Sequence, residues 1–308
     1  MADTPRLSHR LEYVGFRAVS SLALALPEGR AEGIGASLGR LAGRLGIRGD
    51  VVLDNLRHAF PEKDEAWLRR VARESWAHWG REALSMLRPP AIPPSQWLTR
   101  VSLPDAEVAI LRSHYARGRG GVIVTGHFGC IEAAAHTVNA LGMKLAAYYQ
   151  RMSNPLVDGA VARAREGVGL HLIDRRQGVK PGVEALQRGE LVAVVADQDA
   201  RTHGVFVPFF RRLASTHRGA AIMALRAGAP IFFGYARRTP GGYVGGIQEL
   251  EVPRGGSTDD VVYAMTAAFT AALEATVREA PEQYFWQHRR WKSSPEALPQ
   301  EQAASGAV

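Results

Sequence analysis

His127 and Glu132 stand five residues apart in the run Thr125-Gly-His-Phe-Gly-Cys-Ile-Glu132. An imidazole bonded to a carboxylate through one ring nitrogen has a fixed tautomer and a more basic second nitrogen, which suits a general base acting on a hydroxyl. On one continuous helix this spacing would turn the two side chains roughly 140° apart, so they would not meet. They meet only if His127 lies in a loop and Glu132 in the first turn of the helix that follows. The amide groups at that helix start would then be free to hold an oxyanion or a phosphate. A histidine that merely caps the helix is the ordinary alternative. There is no His-Glu-x-x-His run, and His136 lies nine residues beyond His127, so no metal site is expected.

Four further groups of residues bear on chemistry. Asp197-Gln-Asp-Ala-Arg201 follows a strand-like run, so it should open into the same crevice as His127 or else form an acidic loop that caps a turn. Gly204-Val-Phe-Val-Pro-Phe-Phe210, followed by Arg211 and Arg212, could line an acyl channel, dip into lipid, or form a buried crossover. Tyr284-Phe-Trp-Gln-His-Arg-Arg-Trp-Lys292 mixes aromatics with cations. That mixture suits a phosphorylated head group at a membrane surface, a single-stranded nucleic acid, or a segment that packs by its rings. Arg151, Arg163, Arg165, Arg175 and Arg176 are candidate phosphate ligands.

The elements that must place these residues read as follows. Gly121–Thr125 has the short β-branched run of a buried strand, and a helix from Cys130 to Leu141 stops at Gly142. Lys144–Tyr149, Leu170–Ile173, Leu191–Ala196 and Pro230–Ala236 read as strands. Helices are expected over Pro155–Glu166 with Asn154 as N-cap, Val179–Arg188, His217–Ala227 and Thr258–Glu279. Strands alternating with helices predict an α/β fold, a mostly parallel central sheet flanked by helices. The chain before about residue 87 reads as helical.

Leu11–Leu26 carries Glu12 and Arg17 and is too short and charged for a bilayer span. It and Ile34–Leu45 are amphipathic, and either could lie in a membrane interface or cover the core. A formal net charge of +8 favours anionic partners, although an arginine-rich composition alone gives the same balance. The single cysteine, Cys130, excludes a disulfide framework and a cysteine-built zinc site.

Taken together, the motifs resemble those of the lauroyl/myristoyl acyltransferase family of lipid A biosynthesis and of its relatives that acylate phosphatidylinositol mannosides. The matching stretches are Asn55-Leu-Arg-His-Ala-Phe-Pro-Glu62, the His127/Glu132 run, Asn154-Pro-Leu156, Asp197-Gln-Asp199 with Gly204–Phe210 and Ala214-Ser-Thr216, and Pro281–Lys292. The resemblance implies a glycerolipid-acyltransferase-like fold. It implies a helical, membrane-associating region over residues 1–90, a catalytic core over 91–295 and a disordered tail over 296–308. It implies transfer of a fatty acyl chain from acyl carrier protein, or acyl-CoA, to a hydroxyl of a membrane glycolipid such as a lipid A precursor, without a cofactor. His127 and Glu132 would be catalytic, and Arg165, Asp199, Arg151 and Arg175 would bind substrate. The partners implied are the glycolipid, acyl carrier protein and an anionic membrane surface at the cytoplasmic face of the bacterial inner membrane, with no nucleic acid. Acylation of another glycolipid, and hydrolysis of a lipid ester or thioester, are the alternatives. The chain departs from the family pattern at Tyr149-Gln-Arg151, where many members have Tyr-Arg-Pro, and at Trp291-Lys-Ser-Ser294, which has one cation fewer.

Overall fold

A computed structural model describes residues 5–88, 91–253 and 255–295. The expected tail over 296–308 lies outside the described residues. The chain begins with four helices: α1 (Leu7–Ala25), α2 (Glu28–Arg44), α3 (Gly49–Ala59) and α4 (Glu65–Ser85). After them come α5 (Pro94–Arg100), β1 (Val101–Ser102) and α6 (Asp105–Ala116). The central part runs β2 (Gly121–Thr125), α7 (Ile131–Ala140), β3 (Leu145–Tyr149), α8 (Pro155–Gly167), β4 (Leu170–Asp174), α9 (Lys180–Gln187) and β5 (Leu191–Val195). The chain then forms a hairpin of β6 (Val205–Phe209) and β7 (Arg212–Thr216), followed by α10 (Gly219–Ala227), β8 (Ile231–Thr239), β9 (Gly242–Glu249) and α11 (Thr258–Glu279).

Seven strands make one sheet in the order β1-β9-β8-β2-β5-β3-β4. All neighbours are parallel except the β8–β9 hairpin, so the expected α/β architecture is the observed one. Parallel strands need covering on both faces. One face packs under α9, α10 and α11 in the main core, with Val122, Val124, Val192 and Phe233 against Ala185, Ala220, Met265 and Phe269. The other face carries Leu111, Ile123, Leu145 and Phe232.

The N-terminal helices belong to the same body. Val52, Leu56, Leu68 and Val71 of α3 and α4 share the main core with Trp286 and Trp291. Helices α2 and α4 meet through glycines: a Cβ on Gly35 or Gly39 would collide with the α4 backbone at Gly80 and Trp76. Because small residues occupy the seam, the backbones approach closely, and the leucines of α2 are left on its outer side.

In two places the structure selects the buried alternative. The Gly204–Phe210 run is not an open loop: it forms the β6–β7 hairpin, with Val207, Phe209 and Phe210 buried. The Tyr284–Lys292 segment is no surface array of aromatics and cations, since Tyr284, Trp286, Arg290 and Trp291 are all buried. In both places burial of several large rings outweighs the favourable contact that the neighbouring charges would have with a membrane surface.

Candidate active site

Strands β2 and β5 are paired in parallel with Thr125 opposite Val195. Two residues further along each chain come His127 and Asp197, so the register alone sets them side by side at the carboxyl edge of the sheet. The His127 backbone N–H donates to Asp197 Oδ2 at 2.9 Å, and ring Nδ1 lies 2.7 Å from Oδ1. Gly126 permits the approach: a Cβ there would stand 3.3 Å from the Asp197 Cβ and closer still to Leu273. Gly129 completes the turn at φ +59°, with no room for a side chain against the Ala236 carbonyl.

Asp197 is buried, whereas the His127 side chain keeps 28% of its surface exposed. Burial acts against the Asp197 charge, but the His127 charge, the bonds from its ring and backbone N–H, and the Arg290 charge outweigh that, holding the carboxyl well below the usual range. Burial likewise acts against a charged His127, yet the Asp197 charge and hydrogen bond win and raise its pKa. With Nδ1 bonded to a carboxylate, the proton of the neutral ring belongs on Nδ1, and Nε2, with no partner among the described residues, is the free basic nitrogen.

The expected His127–Glu132 contact is not formed. Glu132 does lie in the first turn of α7, as the spacing required, but its Oε1 accepts from Arg165 Nε at 3.0 Å and from Arg165 Nη2. His136 Nε2 approaches its Oε2 at 3.6 Å from one turn further on. Asp197 supplies the carboxylate for His127. Glu132 is directed instead to a cation on α8, which passes beside the α7 start. Burial works against the Glu132 charge, while His136 and Arg165 more than offset it and lower its pKa.

The other expected site residues are dispersed. Arg151 reaches Asp174 at 2.9 Å, a carboxylate that also takes Arg176. Arg175 is exposed, and its charge bears on His217. Asp199 is engaged by its own loop and by the C-terminal segment, accepting from the Arg201 amide and from the Ser293 amide and hydroxyl. Of that acidic pair, Asp197 and not Asp199 faces the imidazole. The sequence marks both as crevice residues and cannot tell which, because a two-residue difference in the β2–β5 register decides it.

Residues from far along the chain complete the site. Phe285 N–H donates to the His127 carbonyl at 2.9 Å, and its ring centroid lies 5.7 Å from the imidazole. Asn55 donates to the Trp286 and His288 carbonyls at 2.7 and 2.6 Å, which fixes the segment from the other side. His78, on α4, makes a 3.2 Å bond between its Nε2 and the Gly129 carbonyl.

An α/β sheet thus carries a partly exposed His–Asp pair at its carboxyl edge and an Arg-paired carboxylate at the next helix start, an arrangement chemically able to assist proton transfer. The family model for bacterial lipid A biosynthesis acyltransferases matches residues 5–293, and the chain belongs to that family: it is an acyltransferase. It is 28% identical to the lipid A biosynthesis lauroyltransferase of Escherichia coli K12 over 285 residues, 90% of each chain. It is also 28% identical to the lipid A biosynthesis myristoyltransferase of the same strain, over 89% of this chain and 84% of the relative. The palmitoleoyltransferase of that strain is 29% identical over 60% of each chain.

Proposed function

We propose that the chain moves a fatty acyl group from the thioester of acyl carrier protein, or of coenzyme A, to a hydroxyl of a lipid A precursor or similar membrane glycolipid. His127 Nε2 takes the proton as the hydroxyl oxygen attacks the thioester carbonyl. A new C–O bond forms, the C–S bond breaks, and the departing sulfur receives the proton from His127. Asp197 stabilises the imidazolium in between. Glu132 serves the reaction by holding Arg165 at the mouth of the loop, where the guanidinium meets the developing oxyanion or a substrate phosphate. Arg151, Arg175 and Asp199 are proposed as more distant substrate contacts. A thioester is already activated, so the chemistry needs no cofactor.

The observation that carries this reading is the 2.7 Å His127–Asp197 contact on a partly exposed imidazole, with the other ring nitrogen unpartnered among the described residues. The test is incubation of pure protein with labelled acyl carrier protein or acyl-CoA and a panel of glycolipids, read by mass spectrometry. Acylated glycolipid is the expected product, lost in His127→Ala. Full activity in that variant, or turnover to free fatty acid alone, refutes the proposal.

The acceptor is a membrane lipid, and the N-terminal helices suit a membrane surface, at the cytoplasmic face of the inner membrane. Leu7, Leu11, Val14 and Leu22 form an exposed stripe on α1, and Ile34, Leu38, Leu41 and Leu45 form one on α2. The acids of these helices are engaged by partners on other elements: Glu12 accepts from Asn154, Glu28 from Arg100 and Glu32 from Arg238. Arg6, Arg10, Arg17, Arg30 and Arg44 are exposed, without an acidic partner among the described residues. Among those residues no helix is long and apolar enough to cross a membrane. We place the pair in the interface plane, with leucines in the acyl region and arginines on lipid phosphates.

A further inference from the structure

A base must be neutral before it accepts a proton. In that resting state His127 no longer balances the Asp197 charge, and a carboxylate only 3% exposed needs another counter-ion, because an uncompensated buried charge costs several kcal/mol. The structure offers one. Arg290 is itself only 2% exposed, and its own fixed partners are neutral. Nη1 donates to the Ser215 carbonyl at 2.7 Å, Nη2 donates to the Thr216 hydroxyl at 2.5 Å, and the guanidinium lies over the Phe209 ring. None of these cancels its charge, and Nε has no partner among the described residues.

We infer that Arg290 is a positioning residue of the base, the fixed counter-cation that keeps Asp197 ionised and turned toward the imidazole. This rests on the reading of His127 and Asp197 as the proton-transfer pair.

The placement supports it. The segment that carries Arg290 is pinned on both sides of the pair: Tyr284 bridges Phe128 in antiparallel fashion, and Asp199 bridges Thr216, an anchor of Arg290. The acids that act on Arg290 are Asp197 and Asp199, and Asp199 is already occupied by the Arg201 and Ser293 amides. The buried Tyr284 hydroxyl feels both Asp197 and Arg290, so phenol, carboxylate and guanidinium form one electrostatic unit. His288 and Asp199 also face that unit, and His217 and Arg175 flank it from the ends of β7 and β4. His288 Nε2 accepts from the Asp199 N–H, which leaves Arg290 as the buried permanent cation of the group.

The experiment compares wild type with Arg290→Gln, Arg290→Lys and Asp197→Asn, reading the pH dependence of kcat/KM and the His127 ring titration by NMR. Loss of the cation destabilises the carboxylate and lifts repulsion from the imidazolium, so both changes push the acid limb to higher pH. The expected shift in Arg290→Gln is upward by about half a pH unit or more, with kcat lowered, KM little changed, and Arg290→Lys restored toward wild type. An acid limb and His127 titration that stay in place in a folded Arg290→Gln protein overturn the inference and leave Arg290 a packing residue. If Arg290→Gln does not fold, Thr216→Val, which releases one anchor, must shift the His127 titration; no shift there has the same force. If Asp197→Asn also leaves the limb in place, the failure belongs to the assignment of the base itself.

Discussion

Asp197 grips His127 at two atoms, the backbone N–H and ring Nδ1, so one carboxylate fixes both the position and the tautomer of the proposed base. Asp197→Asn should therefore lower kcat by about 10²–10⁴-fold, because an amide can present its donor to Nδ1 and place the ring proton on the wrong nitrogen. Steady-state kinetics on the acylation reaction checks this.

The same contact sets a pH dependence. The His127 pKa is raised in the folded protein, so its free-base form, and with it kcat/KM, should appear only above the ordinary imidazole value of about 6.5. The stability contribution has the opposite sense. The raised His127 value stabilises the fold at low pH, and that contribution is lost as pH rises through it. The depressed Asp197 value contributes above the ordinary carboxylate range and is lost in strong acid. Activity should thus rise through a pH range in which the pair's contribution to stability falls, which parallel rate and thermal-unfolding profiles would reveal.

Glu132→Gln should behave differently from Asp197→Asn. It leaves Arg165 and His136 beside a neutral amide and should cost about 1–3 kcal/mol of stability and most of the activity, with the acid limb unmoved. An acid limb displaced as in Asp197→Asn would return Glu132 to the role of partner to His127.

Gly129→Ala should be among the most damaging single-methyl changes. The residue sits in the left-handed region, and the added carbon meets the Ala236 carbonyl, so a loss on the order of 2–4 kcal/mol is expected by denaturant unfolding.

Leu11→Glu with Val14→Glu tests the membrane face. Both positions are exposed, so circular dichroism and melting should hardly change. Flotation with anionic vesicles should fall by at least about tenfold, since each lost apolar contact removes ~1–2 kcal/mol. High salt should weaken the wild-type interaction less than the double substitution does.

The sequence announces the strand–loop–helix units clearly. Gly121–Thr125 and Thr258–Glu279 end where the turn and capping residues say they should, and Asn154 caps α8 with its side-chain oxygen as expected. These signals are local, a β-branched run or a capping side chain next to the helix that it caps. The β6–β7 hairpin and β9 are less visible. Phe210 and Arg211 make the hairpin turn with positive φ but without the usual glycine or asparagine, and β9 is interrupted by Gly245 and Gly246. In the site, His127, Glu132, Arg165 and the acidic loop are all legible as residue types. Their pairing is not, because it depends on how β2 and β5 are aligned and on where α8 crosses α7. The partners of Asn55, His78 and Arg290 are illegible for the same reason: each lies more than fifty residues away.

The contact between Phe285 and the His127 carbonyl has a temporal consequence. The loop bearing the base is synthesised well before the segment that steadies it, and the separation of 158 residues means that nothing near in sequence can substitute. A growing chain that has emerged only through β9 would hold every strand of the seven-stranded sheet and Asp197 beside His127, but not the Phe285 bond that steadies the loop. Catalytic competence should arrive late and abruptly, when residues 284–293 close against α3 and α4. The enzyme should then stay silent throughout its own synthesis.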